Sequence, residues 1–383
     1  MDFALTEEHK MLQEMARDFA NNELVPHAAE WDQKAEFPKE AIKKMAELGL
    51  MGIVIPTELG GAGMDNLAYV IALEEIAVGC ASTAVTMSVN NSLYLDCIMK
   101  NGSDDLKKKY VPEFAQGQKL GAYALTEPQS GSDAAQMFTT AVKKGDKYIL
   151  NGTKSFITNA PDADATIVYA STDRDKGHKG ITAFIVDNDA PGFKTGKKED
   201  KLGIRASSTS EVILEDCEVP ANNVLGEEGK GFYIAMGGLD GGRIGIATQA
   251  LGIGRAGFEA AAKYSGERIA FGKPIMEFEG IQWKIADMAM KIDASRLLIH
   301  RAAWMKDNNL KHTKEASMAK LFASEAANWI AKEAVQVFGG YGYVKEFPVE
   351  RFFRDAKITE IYEGTSEIQR IVIARNALKE MLT

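Results

Sequence analysis

The stretch Ile361-Tyr362-Glu363-Gly364-Thr365-Ser366-Glu367-Ile368-Gln369-Arg370 sets a carboxylate where two helical patterns meet. Upstream, Val349, Phe352, Phe353, Ala356 and Ile361 recur at helical spacing, and downstream Ile368, Ile371, Val372 and Leu378 do the same. Gly364 interrupts the pattern, and Thr365 can cap the second helix. Such a junction leaves backbone N–H groups free to meet an anion. A glutamate there can act as general base while its own amide stabilises the anion it creates. Spacing alone is equally compatible with a solvated glutamate at a helix end, which is the commoner use.

Few other residues compete for a chemical role. Cys80, Cys97 and Cys217 are odd in number and form no CxxC pair, which fits a reducing compartment and no disulfide framework. The five histidines, His9, His27, His178, His300 and His312, form no HExxH-type pair, so no metal site is expected. A net charge of −9 without a basic run gives nucleic-acid binding no electrostatic support. The opening MDFALTEEHK carries acids where a signal peptide carries a basic region, and no apolar run is long enough to span a membrane. These features read as an intracellular protein without a membrane partner.

At 383 residues with 45 % apolar content, the chain can bury a large core in two or three domains. Thr6 can cap a helix whose Met11, Leu12, Met15, Ala16 and Phe19 form one apolar face. Pro38 opens another helix, which Leu48-Gly49 closes. A glycine loop at 58–63 precedes helical patterns over Leu67–Val78 and Thr83–Met99. From about residue 121 the period changes. Tyr148-Ile149-Leu150, Asn151-Gly152 and Thr153–Thr158 read as a hairpin, followed by short β runs at Thr166–Ala170, Ile181–Val186 and Glu211–Leu214. Long helices are expected over 231–266, 275–307 and 313–338, with a last pair around Glu363. The expected architecture is α+β multidomain: an N-terminal helical domain (1–120), a middle β-barrel or sandwich-like domain (121–230) and a C-terminal helical bundle (231–383). Gly252-Ile253-Gly254-Arg255-Ala256-Gly257 spells a dinucleotide fingerprint, but inside a helical stretch with no strand before it. Its small residues are expected to let two helices approach closely.

The wording IYEGTSEIQR resembles the catalytic signature of the acyl-CoA dehydrogenases, and further matches run the length of the chain. The resemblance implies FAD as cofactor and an acyl-CoA substrate. Glu363 would remove the α-proton of the acyl thioester while a hydride leaves the β-carbon for flavin N5, giving a trans-2-enoyl-CoA. The thioester oxygen would be held by the Glu363 N–H and a flavin ribityl hydroxyl. Ala124–Asp133 is similar to the first flavin segment. Tyr123, Leu125 and Thr126 would meet the flavin ring, and Ser132 would serve the pyrophosphate and the thioester side. Phe156-Ile157-Thr158 matches the second segment, with Phe156 stacking where many relatives carry Trp and Thr158 bonding near N5. Asp240 and Arg243 would hold the pantetheine and phosphate parts of CoA, with Gly364 also at the substrate. Arg268 with Phe271, and Gln336 with Gly339 and Gly340, resemble segments that reach the adenosine half of FAD across a subunit boundary. Thr365 and Glu367 complete the flavin contacts. Glu279 stands where relatives commonly have Gln at the adenosine end, an added negative charge that should weaken cofactor binding unless paired.

Other relatives place the base at the position held here by Gly242, which carries no side chain to serve. Ala84 stands where glutaryl-type relatives have an Arg, which disfavours a dicarboxylic substrate. Thr86–Tyr94 resembles the short-chain, butyryl-type group. The family implies a homotetramer that reduces an electron-transfer flavoprotein, in the bacterial cytoplasm or, for a mature eukaryotic chain, the mitochondrial matrix. An acyl-CoA oxidase, or a non-catalytic flavin and acyl-CoA binding protein, are the rival readings.

Overall fold

The computed structural model describes residues 4–382, so residues 1–3 and 383 of the expected outer domains lie outside the described part. The first segment is helical: α1 (Glu7–Phe19), α2 (Ala28–Lys34), α3 (Lys39–Glu47), α4 (Asn66–Gly79), α5 (Ala81–Ser88), α6 (Asp96–Asn101), α7 (Asp104–Tyr110) and α8 (Pro112–Ala115). Thr6 caps α1, its Oγ1 accepting the His9 N–H at 3.2 Å. Leu12, Ala16 and Phe19 bury on that helix as expected, whereas Met11 is 69 % exposed. Between α5 and α6 the chain widens into a π-helix, Val89–Leu95, a form found mostly as short insertions and often at functional sites. That widened turn aims Asn90 and Asn91 inward. Asn90 Nδ2 donates to the Met51 and Phe114 carbonyls and Asn91 Nδ2 to those of Leu50 and Met87, pinning the buried loop after α3.

The middle segment supplies β1 (Gly121–Ala124), β2 (Thr140–Lys144), β3 (Lys147–Thr158), β4 (Ala165–Ser171), β5 (Ile181–Asp187), β6 (Phe193–Thr195), β7 (Thr209–Pro220) and β8 (Val224–Leu225). They join in the order β6-β7-β3-β2-β4-β5-β8, with β1 parallel to β4. Strands β2 and β4 meet through one residue pair, Thr140 with Ser171. The sheet is thus two halves, and Leu150, Ile157, Val212 and Leu214 from one share a core with Val168, Phe184 and Val186 from the other. One expectation fails here. Asn151-Gly152 is no hairpin turn but the middle of β3, and the chain reverses earlier at Gly145-Asp146. Asn151 instead exchanges hydrogen bonds with Asp216 of β7, and Gly152 (φ +153°) sits at a shift of register. A Cβ at Gly152 would lie 2.4 Å from Thr139 Oγ1, so the glycine serves a close approach within a bulge.

The last segment holds α9 (Gly231–Glu267), the ribbon β9 (Ile269–Ala270) and β10 (Lys273–Pro274), then α10 (Glu279–Asp307), α11 (Thr313–Phe338), α12 (Val349–Ile358) and α13 (Ser366–Leu382). The GxGxxG run lies inside α9 as expected of a packing device. A Cβ at Gly252 would stand 2.4 Å from that of Ala77 on α4, and Gly254 and Gly257 face Ala327, Ile330 and Ala334 of α11. Among the described residues, no helix is long and apolar enough to cross a membrane.

The first and last segments are locked together by buried charge. Glu74 and Glu75 on α4 are nearly inaccessible. Glu75 takes hydrogen bonds from Arg17 Nη2 at 2.9 Å and Arg255 Nη2 at 2.5 Å, and Glu74 from Arg296 Nη2 and Arg255 Nη1, both at 2.8 Å. Burial alone would raise both carboxyls; the bonds from Arg296 to Glu74, and from Arg255 and Arg17 to Glu75, outweigh it and hold them below the ordinary range. A lowered carboxyl stabilises the fold above its unfolded pKa and loses that contribution as pH falls through its folded value. Glu75→Ala, which takes a shared buried partner from Arg17 and Arg255, should therefore cost about 3 kcal/mol at neutral pH, the low end for breaking a buried pair because Arg255 keeps Glu74. Chemical denaturation should show that cost shrinking towards about pH 3.

Candidate active site

Glu363 sits in the turn between α12 and α13 with φ +52°, followed by Gly364 at +94°. A glutamate adopts this left-handed conformation only where the surroundings hold it. They do so through carbonyls. The Gly364 oxygen accepts Lys320 Nζ of α11 and Gln369 Nε2, each at 2.8 Å, and the Glu363 oxygen accepts Gln369 Nε2 at 3.2 Å. Thr365 Oγ1 accepts the Ile368 N–H at 3.4 Å, the expected cap. Among the described residues, the N–H groups of Glu363, Gly364 and Thr365 donate to no backbone carbonyl.

The carboxylate points at the glycine face of α9. A Cβ at Gly242 would stand 1.9 Å from Glu363 Oε2 and 2.8 Å from Leu93 Cδ2, so the absent side chain makes the room that the glutamate uses. One turn on, Gly245 faces the Ser88 and Tyr69 hydroxyls, which hydrogen-bond to each other at 3.1 Å. Glu363 Oε2 is enclosed and, among the described residues, has no hydrogen-bond partner. Burial pushes the carboxyl up to about 8, opposed by the charges of Lys320 and Arg243. Asp240 and Arg243 form a largely buried pair. Arg243 is buried, donates from Nη1 to Asp240 Oδ1 at 2.8 Å and keeps an unpartnered Nε, while Asp240 Oδ2 accepts Thr313 Oγ1 at 2.6 Å.

The middle segment brings Leu125, Thr126, Phe156, Ile157 and Thr158 to adjoining strand ends, joined by the Ser155 N–H donating to the Thr126 carbonyl at 2.9 Å. Phe156 is 66 % exposed at φ +59°, and flanking Ile157 is buried. An aromatic ring presented to solvent from a strained bulge is unexplained by packing and suits a planar ligand. Beneath it, Lys154 and Glu127 form a fully buried pair at 2.8 Å, and Lys154 also donates to the Leu125 carbonyl at 3.1 Å. Ser132 is exposed on the loop that Glu127 ties down through the Phe138 and Thr139 N–H groups. Tyr123 differs from its neighbours. Its ring packs on Tyr169 and its hydroxyl donates to the Ala235 carbonyl at 3.2 Å, so the ring belongs to the core.

A second group gathers at the far end of α9. Arg268, Gly339 and Gly340 line a cavity of about 730 Å³ with Tyr264, Phe338 and Tyr341. A Cβ would meet nothing within 4 Å at either glycine, and Gly339 has φ +60°, which leaves backbone open to a phosphate-sized group. Gln336 is exposed on the last turn of α11. Phe271 and Gly272 turn the β9–β10 ribbon at φ +50° and +83°, leaving Phe271 96 % exposed. Glu279 is exposed in the first turn of α10, where the helix dipole favours an acid. Glu367 is likewise exposed in the first turn of α13. The chemistry of both groups suits a flavin dinucleotide, an exposed aromatic ring at one and open glycine backbone beside Arg268 at the other. Sequence reasoning missed Lys320, Gln369, Thr313 and the Lys154–Glu127 pair. Lys320 left a signal, a lysine among Ala316, Ala319, Ala323 and Ala327 on the apolar face of α11.

Three family models match, described as the acyl-CoA dehydrogenase N-terminal (residues 6–118), middle (122–217) and C-terminal (229–378) domains. The chain is 57 % identical to the rat mitochondrial short-chain specific acyl-CoA dehydrogenase, over 98 % of this chain and 91 % of the relative. Its structure is similar to butyryl-CoA dehydrogenase from Megasphaera elsdenii (TM-score 0.97, 47 % identity, 99 % and 100 % covered). It is equally similar to a chain from a structure of the electron transferring flavoprotein of Acidaminococcus fermentans (TM-score 0.98, 49 % identity, 99 % and 100 % covered). With that likeness along the whole chain, and with a buried carboxylate facing a glycine-lined gap, this protein belongs to the acyl-CoA dehydrogenase family of FAD-dependent oxidoreductases.

Proposed function

We propose that the chain dehydrogenates short-chain acyl-CoA thioesters, with Glu363 as the base that removes the α-proton. The observation that carries this reading is the enclosed, unpartnered Glu363 Oε2 on a backbone held at positive φ. A carboxyl raised by burial matches a base better to a weakly acidic C–H than an ordinary glutamate does. The unpaired N–H beside it offers a hydrogen bond to the thioester oxygen as charge develops there. FAD, when bound, supplies the hydride acceptor. Phe156, Thr158, Leu125, Thr126, Thr365 and Glu367 would hold its flavin end, with Ser132 toward the pyrophosphate. Arg243 and Asp240 would orient the CoA arm. Arg268, Phe271, Glu279, Gln336, Gly339 and Gly340 would serve the adenosine end in a second copy of the chain.

Assembly has its own support. Trp283, Met290, Leu297 and Trp304 recur every seven residues on α10 and are each more than half exposed. A heptad stripe left open on a helix calls for another helix, which favours a homotetramer. An electron-transfer flavoprotein as acceptor is supported by the likeness to the Acidaminococcus chain. The short-chain preference rests on Leu93, Ser88 and Tyr69 crowding the α9 glycines beside Glu363.

Three outcomes test the reading, each followed as anaerobic flavin bleaching. Glu363→Gln should retain FAD and bind acyl-CoA yet reduce its flavin about two to four powers of ten more slowly, with Glu367→Gln as a nearly unaffected control. A near wild-type rate in Glu363→Gln would remove the assignment of the base. Butyryl-CoA should outpace octanoyl-CoA; the reverse order would move the preference to longer chains. Gly242→Ala, whose methyl must displace the carboxylate, should slow flavin reduction by at least about ten-fold while FAD content is unchanged.

A further inference from the structure

Lys320 is fully buried, and its ammonium makes a hydrogen bond to the Gly364 carbonyl at 2.8 Å. A buried ammonium with three donors is costly unless its surroundings repay it, and a lone carbonyl is a poor reason to keep one. The repayment lies in what that carbonyl belongs to. Peptide units are planar and trans, so fixing the Glu363 and Gly364 oxygens fixes the directions of the Gly364 and Thr365 N–H groups. Lys320 and Gln369 between them hold both oxygens.

Resting on the assignment of Glu363 as base, we propose that Lys320 is a positioning residue for the reaction: it clamps the left-handed Glu363-Gly364 turn, and its charge favours the ionised form of the base. Gln369 supplies the same clamp without charge. The charged and titratable groups facing Glu363 are Lys320 from α11, Arg243 from α9, Tyr69 from α4 and Tyr123 from β1. Those facing Lys320 are Glu363, Glu360 and Glu367 from the turn and the start of α13, with Arg243 repelling it. Arg243 is already committed to Asp240, whereas among the described residues Lys320 has no carboxylate within salt-bridge distance. Its charge is therefore left to act on Glu363.

The test separates clamp from charge. Holoenzymes of wild type, Lys320→Met, Lys320→Arg, Gln369→Leu and Glu363→Gln are mixed anaerobically with butyryl-CoA across about pH 6 to 9, and the rate of flavin reduction is fitted for its acid limb. Lys320→Met should slow reduction at least ten-fold at neutral pH and move the acid limb up by about one pH unit. Lys320→Arg should keep the limb near its wild-type position. Gln369→Leu should lower the rate with the limb unmoved. If Lys320→Met yields no folded holoenzyme, Lys320→Gln, which keeps a donor and loses the charge, carries the same comparison. An acid limb unmoved in the uncharged variant, or moved equally in Lys320→Arg, overturns the proposal. Flavin reduction by Glu363→Gln at a near wild-type rate would instead overturn the assignment of the base.

Discussion

The structure depends on how closely α9 can approach its neighbours. This helix runs from Gly231 to Glu267, and its buried faces carry glycines at several of the points where another element crosses. At Gly252 the neighbour is α4, and at Gly254 and Gly257 it is α11; at Gly245 it is the Tyr69 and Ser88 hydroxyls, and at Gly242 the carboxylate of Glu363. Glycine in a helix interior costs about 1 kcal/mol relative to alanine. Here that cost is offset by backbone-close packing of three helical layers, and by the space in which a buried carboxylate can sit. Packing and chemistry are the same constraint on this helix.

Burial so dense leaves little water for charge, and the chain answers with two kinds of buried ion. The Glu74, Glu75, Arg17, Arg255 and Arg296 group is fully cross-paired, which lowers its carboxyls and ties together four helices, two from the first segment and two from the last. At Glu363 the pairing is withheld. The nearest cations, Lys320 and Arg243, are bonded elsewhere, and the carboxyl rises. Both groups lie in the same interior. What differs is whether a donor reaches the carboxylate oxygens, and that difference separates a structural glutamate from one that can take a proton.

Much of this was legible in the sequence. The helices at 7–19, 39–47 and 313–338, the α-then-β-then-α order and the break at Gly364 followed from apolar period and capping residues, which are local properties. The Asn151-Gly152 turn was misread because the dipeptide permits a turn without requiring one, and β7 offered Asn151 a partner from 65 residues away. The burial of Arg243 could not be read from its three-residue spacing to Asp240, since burial is decided by what packs over a helix. Lys320 was visible as an anomaly on an alanine face, but its target lies 44 residues on, at the carbonyl of Gly364.

The least legible feature is backbone strain, and three of the residues that carry it also display an exposed ring or an unpaired carboxylate. Phe156, Phe271 and Glu363 all carry positive φ, at 59°, 50° and 52°. None is a residue type that favours that region, and each such position costs of order 1–3 kcal/mol. Glycine at any of the three would have relieved the strain and removed the side chain that is displayed. Two of the displayed groups are aromatic rings left mostly exposed and the third is a carboxylate left unpaired. Strain that the core does not need, spent on side chains that the core does not use, is explained by a ligand. One strained aromatic stands at a bulge inside β3, the other in the β9–β10 turn and the carboxylate at a helix junction, so the displayed groups come from the middle and last segments together. That is why the middle and last segments must be in register before these groups can act together.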